Sequence, residues 1–336
     1  MSSSNTPLKM IYVGSLATGP DRDSGWIREF ISLGWDVDTL DTNIPLNGTV
    51  LLKKIKRRLQ RTTEYVELEQ ALITRVDKIK PLWVHFRLPT EFSRKTIFEL
   101  KKRNIFVTQY CNDDAFTKKA PFGLYSKFKK ALPLFNGHFV FRQRNINDYL
   151  GAGAVHVEHC PPTYDPGVHN QDQRLVDGTF IADAAFVGHY ENDGRQAYME
   201  GLVNAGFNVI LKGGMWESTI KNSPLSMFSP VEHAFGKEYN RIYSNVIAGI
   251  CFFSKINNDE WTRRAPEIIA VGGLLVCERT PEAQQRFRDR EEAFFFSSVS
   301  ELVEIVDFLK FRRSHEAASL TASPADGSQA WRYIMA

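Results

Sequence analysis

The sequence predicts an α/β protein built from two parallel-sheet domains, and three observations carry that prediction. Short apolar runs alternate with amphipathic stretches along most of the chain, which is the pattern of βαβ units. The alternation breaks once, at a polar, proline-rich stretch near the middle. The length, 336 residues, accommodates two domains of about 100–200 residues each. The expected architecture is two Rossmann-like domains facing each other across a cleft.

In the first half the apolar runs predict strands at Met10–Val13, Trp35–Leu40, Leu82–Phe86, Ile105–Thr108 and His138–Phe141, with a short sixth at Val155–Val157. Ser24 reads as the cap of a helix over Gly25–Leu33, and Gly34 as its left-handed terminator. Prolines 161, 162 and 166, followed by the polar run to Arg174, read as a domain linker. A second series follows, with strands at Ala184–Val187, Asn208–Leu211, Ile247–Phe252, Leu274–Cys277 and Ala293–Phe296, and helices over Arg195–Ala205 and Arg264–Val271. The small, polar stretch Ala317–Ser328 reads as a loop before a last helix around Ala330–Ile334. These elements give an N-terminal domain over 1–168, a C-terminal domain over 178–315 and a tail over 316–336 that could return to the first domain.

Composition narrows the function. With 43% hydrophobic and 24% charged residues the chain is an ordinary globular one, so disorder, collagen and coiled-coil readings fail. A net charge of +3 is too small for a dedicated nucleic-acid binder. Cys111, Cys160, Cys251 and Cys277 lie far apart with no CxxC spacing, which predicts neither zinc site nor disulfide framework and fits a reducing cytoplasm. No apolar h-region follows Met1, and no stretch approaches the ~20 apolar residues of a membrane span. The expectation is a cytoplasmic protein, soluble or peripheral at the inner face of a membrane.

In open α/β sheets ligands bind beyond the carboxyl ends of strands, and four segments stand there. Gly14-Ser-Leu-Ala-Thr-Gly19 through Gly25 is long and lacks GxGxxG spacing, so it supports no dinucleotide claim. Gly188-His189 through Gly194-Arg195 combines a glycine, a histidine and a guanidinium at a helix start, an arrangement suited to a diphosphate. Asn257 through Val276 gathers Asp259, Glu260, Arg263, Arg264 and Glu267 before Gly272-Gly273. Asn112-Asp113-Asp114 can orient a hydroxyl, hold a cation or cap a helix.

The third segment carries a resemblance. Thr262-Arg263-Arg264-x-x-Glu267, Ala270-x-Gly272-Gly273-Leu-Leu-Val276, Glu278-x-Thr280-x-Glu282 and Phe287 resemble the CgeB-like, spore-maturation glycosyltransferases, a GT-B group related to retaining family 4. Phe186-Val-Gly188-His189-Tyr-Glu-x-x-Gly194-Arg195, Phe141-Arg-x-x-Asn145-x-x-Asp148-Tyr149, Pro161-x-x-Tyr164-Asp165-Pro166 and Asn112-Asp-Asp114 agree in order, over most of residues 9–310. The resemblance implies a C-terminal domain that binds a nucleotide-activated sugar and an N-terminal domain that meets the acceptor. The related family uses two acids, the first at the donor sugar and the second at the ribose. Here they fall on Asp259 and Glu267, as D-x7-E in place of E-x7-E. The diphosphate cations map onto His189 and Arg195, with Arg264 as a substitute. The implied donor-side set is Gly14, Gly188, His189, Arg195, Lys212, Arg263, Arg264, Glu267, Gly272 and Gly273.

Breaking a sugar–phosphate bond builds negative charge on the diphosphate, which fixed cations stabilise without a metal. No metal is expected, since Asp21-Arg-Asp23 and Asp36-Val-Asp38 have DxD spacing but lie in a first-domain loop and strand. An inverting reaction would instead need a base, for which Asp21, Asp23 and Asp113 are available, with His85 beside Asn112 and Asp114 on the acceptor side. Two basic runs also lie in this half, Lys53–Arg58 and Lys118–Lys130, and either can meet anionic lipid, an acidic glycan or a nucleic-acid backbone. The preferred function is transfer of a sugar from a nucleotide donor to a glycan, lipid-linked or other hydroxyl acceptor. A non-catalytic GT-B-fold protein and a sugar-nucleotide epimerase are the competing readings.

Overall fold

Two parallel sheets organise the chain, each with its own hydrophobic core. The computed structural model describes residues 7–16, 23–60, 62–120, 123–175 and 178–320, with backbone alone at 57–59 and 314–320. The chain divides into two units, Met1–Pro161 and Pro162–Ala336.

The first unit holds a six-stranded sheet: β1 (Leu8–Gly14), β2 (Trp35–Asp41), β3 (Trp83–Arg87), β4 (Phe106–Cys111), β5 (Gly137–Val140) and β6 (Val157–His159), in the order β2-β1-β3-β4-β5-β6. Every neighbour pair is parallel, so a crossover lies between consecutive strands. These are α1 (Ser24–Ser32), α2 (Val50–Leu59) and α3 (Thr63–Ile79), then α4 (Arg94–Lys102), α5 (Ser126–Ala131) and α6 (Asn145–Gly151). Strand residues alternate between the two faces. Ile11, Val13, Val84, Phe86 and Val107 pack on one face with Leu68, Leu72, Ile97 and Leu100 from α3 and α4. Tyr12, His85 and Thr108, in register with one another, point to the other face. There Trp26 of α1 stacks on His85, with ring centroids 5.9 Å apart.

The second unit holds β7 (Ala182–Val187), β8 (Val209–Lys212), β9 (Val246–Cys251), β10 (Leu275–Glu278) and β11 (Phe294–Phe296), in the order β11-β10-β9-β7-β8. Its helices are α7 (Arg195–Asn204), α8 (Gly236–Ser244), α9 (Arg264–Ala270), α10 (Pro281–Arg286) and α11 (Val299–Leu320). Every residue of β7 and β9 is buried, as expected of central parallel strands covered on both faces. Met199 and Leu202 of α7 and Leu302, Ile305 and Val306 of α11 cover one face. Tyr239, Ile242, Ala265 and Ile268 of α8 and α9 cover the other.

The eleven strand positions read from the sequence all hold strands, shifted by at most two or three residues at their ends. Three local expectations differ. Asp23, not Ser24, occupies the cap position of α1, and the Ser24 hydroxyl instead accepts from Arg28 at 3.0 Å. The polar run after Pro162 is bound to the second unit: Asn240 Nδ2 donates to Val168 O at 2.6 Å and Asn245 Nδ2 to Gln173 O at 2.9 Å. Its polarity reflects backbone bonded by side chains, not a free linker. Helix α11 runs through Leu320, past the expected start of the tail, because no glycine or proline interrupts Val299–Leu320. The helix expected around Ala330 lies outside the described residues.

Candidate functional site

The carboxyl ends of β7 and β9, adjacent strands of the second sheet, bring two of the sequence-predicted segments together. The contact is made by Arg264. From the first turn of α9 its Nε donates to Val187 O, the last carbonyl of β7, at 2.7 Å, and its guanidinium lies 4.9 Å from the Phe186 ring centroid. Gly188 makes room for it, since a Cβ there would stand 2.5 Å from Arg264 Nη2 and 2.7 Å from Phe186 Cζ. Among the described residues no carboxylate lies within ion-pair distance of Arg264. A half-buried cation is thus held at a strand end, where its charge is poorly screened.

One turn further along α9, Glu267 is 6% exposed and surrounded by donors. Tyr239 donates its hydroxyl to Oε2 at 2.9 Å, and Arg263 Nε donates to Oε1 at 2.5 Å. His169 Nε2 stands 3.6 Å from Oε1 and its ring meets Tyr239 edge-on at 5.7 Å. Burial pushes the His169 imidazole below its usual range, against the pull of Glu267, so the neutral ring is favoured. A carboxylate has room for about four hydrogen bonds, so Glu267 retains acceptor capacity for a ligand hydroxyl. Asp259 lies in the connection between β9 and α9, 9% exposed, with its N–H donating to Ser254 O at 2.9 Å. Gly272, with φ +79°, ends α9, and Gly273 lets the chain pass 2.5 Å from Tyr243 O at the position of an added Cβ.

Arg195 is placed differently from the expectation of a diphosphate ligand. It is 4% exposed and forked onto Asp193, with Nε to Oδ1 at 2.8 Å and Nη2 to Oδ2 at 2.6 Å, while Nη1 donates to His189 O at 2.6 Å. These bonds brace the 188–195 loop and neutralise the guanidinium. His189 Nδ1 accepts from Gly214 N at 3.2 Å, and its ring meets that of His233 at 5.9 Å. His233 in turn stacks on Phe235, at 5.4 Å and 14°, and Phe235 is 52% exposed. Lys212 pairs with Glu232 at 2.7 Å.

The first-unit candidates are held by structural partners. Asp23 is 1% exposed and paired with Arg87 Nε at 2.9 Å, close against Gly14, where a Cβ would lie 2.4 Å from Asp23 Oδ2. His85 is buried among rings, its Nδ1 bonded to Thr108 Oγ1 at 2.8 Å, and burial lowers its pKa to about 3. Burial thus keeps the His85 ring neutral and weakly basic. Asp113 accepts from the Tyr125 hydroxyl at 3.1 Å. Asp114, wholly buried, accepts from Phe116 N at 3.0 Å and Asn145 Nδ2 at 3.1 Å, while Asn112 O accepts from Arg142 Nη1 at 3.0 Å. Both residues fasten the loop after β4. Asp21 lies outside the described residues. Among the described residues no group of three or more His, Cys, Asp or Glu is placed to hold a metal ion.

Tyr239, His169, His233 and Phe235 were not singled out in the sequence. Tyr239 carries only the spacing of a helix core position, and His169 lies in a run that reads as linker. No local signal marks either.

Residues 195–326 match a family described as glycosyl transferase-like. None of the curated proteins matches the sequence. The solved structures similar to the chain include a UDP-forming α,α-trehalose-phosphate synthase from Burkholderia xenovorans, with 11% identity, TM-score 0.59, 92% of this chain and 94% of that one covered. HepE of Anabaena in complex with UDP and glucose has 9% identity and TM-score 0.54, with 90% and 89% covered. UDP-GlcNAc 2-epimerase from Methanocaldococcus jannaschii has 11% identity and TM-score 0.53, with 89% and 92% covered. The fold is therefore GT-B, two Rossmann-like α/β units, with a glycosyl transferase-like domain in the second half.

Proposed function

We propose that the protein is a glycosyltransferase that binds a nucleotide-diphosphate sugar on its second unit and passes the sugar to an acceptor hydroxyl. The observation that carries this reading is the pairing of an unneutralised guanidinium, Arg264, with a donor-ringed carboxylate, Glu267, three residues apart on α9. Those two groups suit the two ends of a nucleoside diphosphate. In this reading Glu267 accepts from the ribose hydroxyls and Arg264 faces the diphosphate. The exposed Phe235 ring, backed by His233, offers a stacking face for the base. The solved structures of similar fold include proteins bound to UDP, which makes UDP-sugars the first donors to test.

In the reaction the bond between the anomeric carbon and the phosphate oxygen breaks, its electron pair leaves on the diphosphate, and the acceptor hydroxyl oxygen bonds to the anomeric carbon as its proton passes to the departing phosphate oxygen. Arg264 acts as charge builds on the leaving group, and because its position is fixed beforehand little reorganisation opposes the step. In this reading Asp259 orients the donor sugar, and retention of configuration is what the resemblance to the E-x7-E family implies, with a shorter carboxylate at the first position. Arginine in the neutralising role makes transfer independent of a divalent ion.

The test is incubation with a panel of nucleotide sugars in EDTA, following both products by mass spectrometry, for the natural chain, Glu267→Ala and Arg264→Met. Release of nucleoside diphosphate that is lost in both folded variants supports the assignment. Conversion of the donor to an isomer with no acceptor turns the reading to an epimerase. Absence of nucleotide binding turns it to a non-catalytic protein of the same fold.

A further inference from the structure

Helix α2 keeps its apolar side outside the first unit. At about 100° per residue, Leu51, Leu52 and Ile55 fall within one 100° arc of the helix and Lys53 and Lys54 outside it, on the opposite part of the circumference. A surface helix ordinarily turns such an apolar stripe toward the core. Here Leu51 is 69% exposed, Leu52 43% and Ile55 44%, and neighbouring Val50 is 73% exposed. The helix is tied at both ends of this stretch. Thr49 Oγ1 accepts from Leu52 N at 3.3 Å, and Lys56 Nζ lies 2.5 Å from Glu64 at the start of α3. The outward leucines and isoleucine are therefore held in place by a capped, anchored helix.

Charge is as uneven as exposure. Residues 42–63 contain six Lys or Arg and no Asp or Glu, so with the chain at +3 the remainder carries −3. Lys53 and Lys54 are exposed. A nucleic-acid backbone satisfies the cations but gives Leu51 and Ile55 nothing apolar to enter. The boundary between anionic headgroups and acyl chains satisfies both, and a short cationic amphipathic helix lies in that plane.

We propose that α2 is an in-plane anchor that seats the first unit on a bilayer bearing anionic headgroups. Leu51, Leu52 and Ile55 enter the acyl boundary, and Lys53 and Lys54 meet the phosphates. The anchor is independent of the donor chemistry, and it would bring a hydroxyl acceptor carried on a lipid to the unit from which α2 projects.

The test is co-sedimentation of the full chain with vesicles of phosphatidylcholine alone, or of equal phosphatidylcholine and phosphatidylglycerol, at low and high salt and without nucleotide. Partition onto the anionic vesicles that weakens with salt is expected. Lys53→Gln/Lys54→Gln lowers it about 25-fold, near fivefold per cation. Leu51→Ser/Ile55→Ser abolishes it although no charge changes, and unaltered circular dichroism and melting show that both variants fold. The proposal is overturned if the natural chain stays in the supernatant, or if Leu51→Ser/Ile55→Ser still binds. Retention by RNA or heparin with none on vesicles also overturns it and assigns the helix to a polyanion.

Discussion

The hydroxyl of Tyr239 donates to Oε2 of Glu267 at 2.9 Å, both residues more than nine-tenths buried in the second unit. The bond joins α8 to α9 and orients the carboxylate proposed to hold the donor. Tyr239→Phe keeps the ring and its contacts while removing the donor. A hydrogen bond to a charged acceptor is worth about 1.5–3 kcal/mol, so the melting temperature should fall accordingly. Donor KM should rise several-fold more than kcat falls, because the loss is in positioning and not in charge at the leaving group. An unchanged KM with a large loss in kcat would remove Glu267 from the donor-binding role.

Gly188→Ala tests the close approach of Arg264. The added methyl would stand 2.5 Å from Nη2, so the guanidinium must move off the end of β7. Overpacking of this kind costs about 1–3 kcal/mol, and the displaced charge should lower turnover at least tenfold if Arg264 neutralises the leaving group. Gly213→Ala should be worse for folding, since its φ is +125° and the new Cβ would lie 2.1 Å from the Gly188 carbonyl. Equal melting temperatures for Gly188→Ala and the natural chain would contradict this placement.

The Asp23–Arg87 pair separates a structural from a catalytic role in the first unit. Its side chains are 2% and 11% exposed. Asp23→Asn leaves the guanidinium buried without its counter-charge, a change that typically costs about 3–5 kcal/mol. Chemical denaturation should show that loss. If Asp23→Asn instead melts like the natural chain but is inactive, Asp23 is the acceptor base and the structural role fails.

Stability should fall in mild acid. Burial lowers the His85 pKa to about 3 and that of His138 to about 4, from a usual value near 6.5. His138 makes two hydrogen bonds, Nδ1 with Gln109 Nε2 at 3.2 Å and Nε2 with Leu132 O at 3.1 Å, a pairing that the neutral ring satisfies. Below pH 6.5 the unfolded chain takes up protons that the folded chain refuses. The stabilisation is complete above about pH 6.5 and declines as pH drops toward 4, by up to about 1.4 kcal/mol per pH unit for each histidine. Urea midpoints between pH 7 and pH 5 check the slope, and His85→Phe should flatten it. A slope of opposite sign would show that the rings are charged when folded.

Much of the fold was legible in the sequence, for a physical reason visible in particular strands. Apolar runs such as Ala184–Val187 and Ile247–Phe252 are continuous because central parallel strands are buried on both faces, and that requirement is written locally. The Arg264–Glu267 cluster was legible too, since charged residues at a strand-to-helix junction stand out against an apolar background. Arg195 was not. Its sequence context resembles a diphosphate ligand, and only the folded loop shows its fork closed on Asp193.

By itself, then, the sequence determined the periodicities: eleven strands, their parallel crossovers, and a short stretch in which cations and leucines alternate at helical spacing. The tertiary structure alone decided which charges are already matched. Asp23 meets Arg87 across 64 residues, Arg264 reaches Val187 across 77, and His169 meets Glu267 from a run that reads as linker. It also left Leu51 and Ile55 facing outward. Periodicity is a property of neighbours along the chain. Charge compensation and exposure depend on what the fold brings near, and no local pattern encodes that partner.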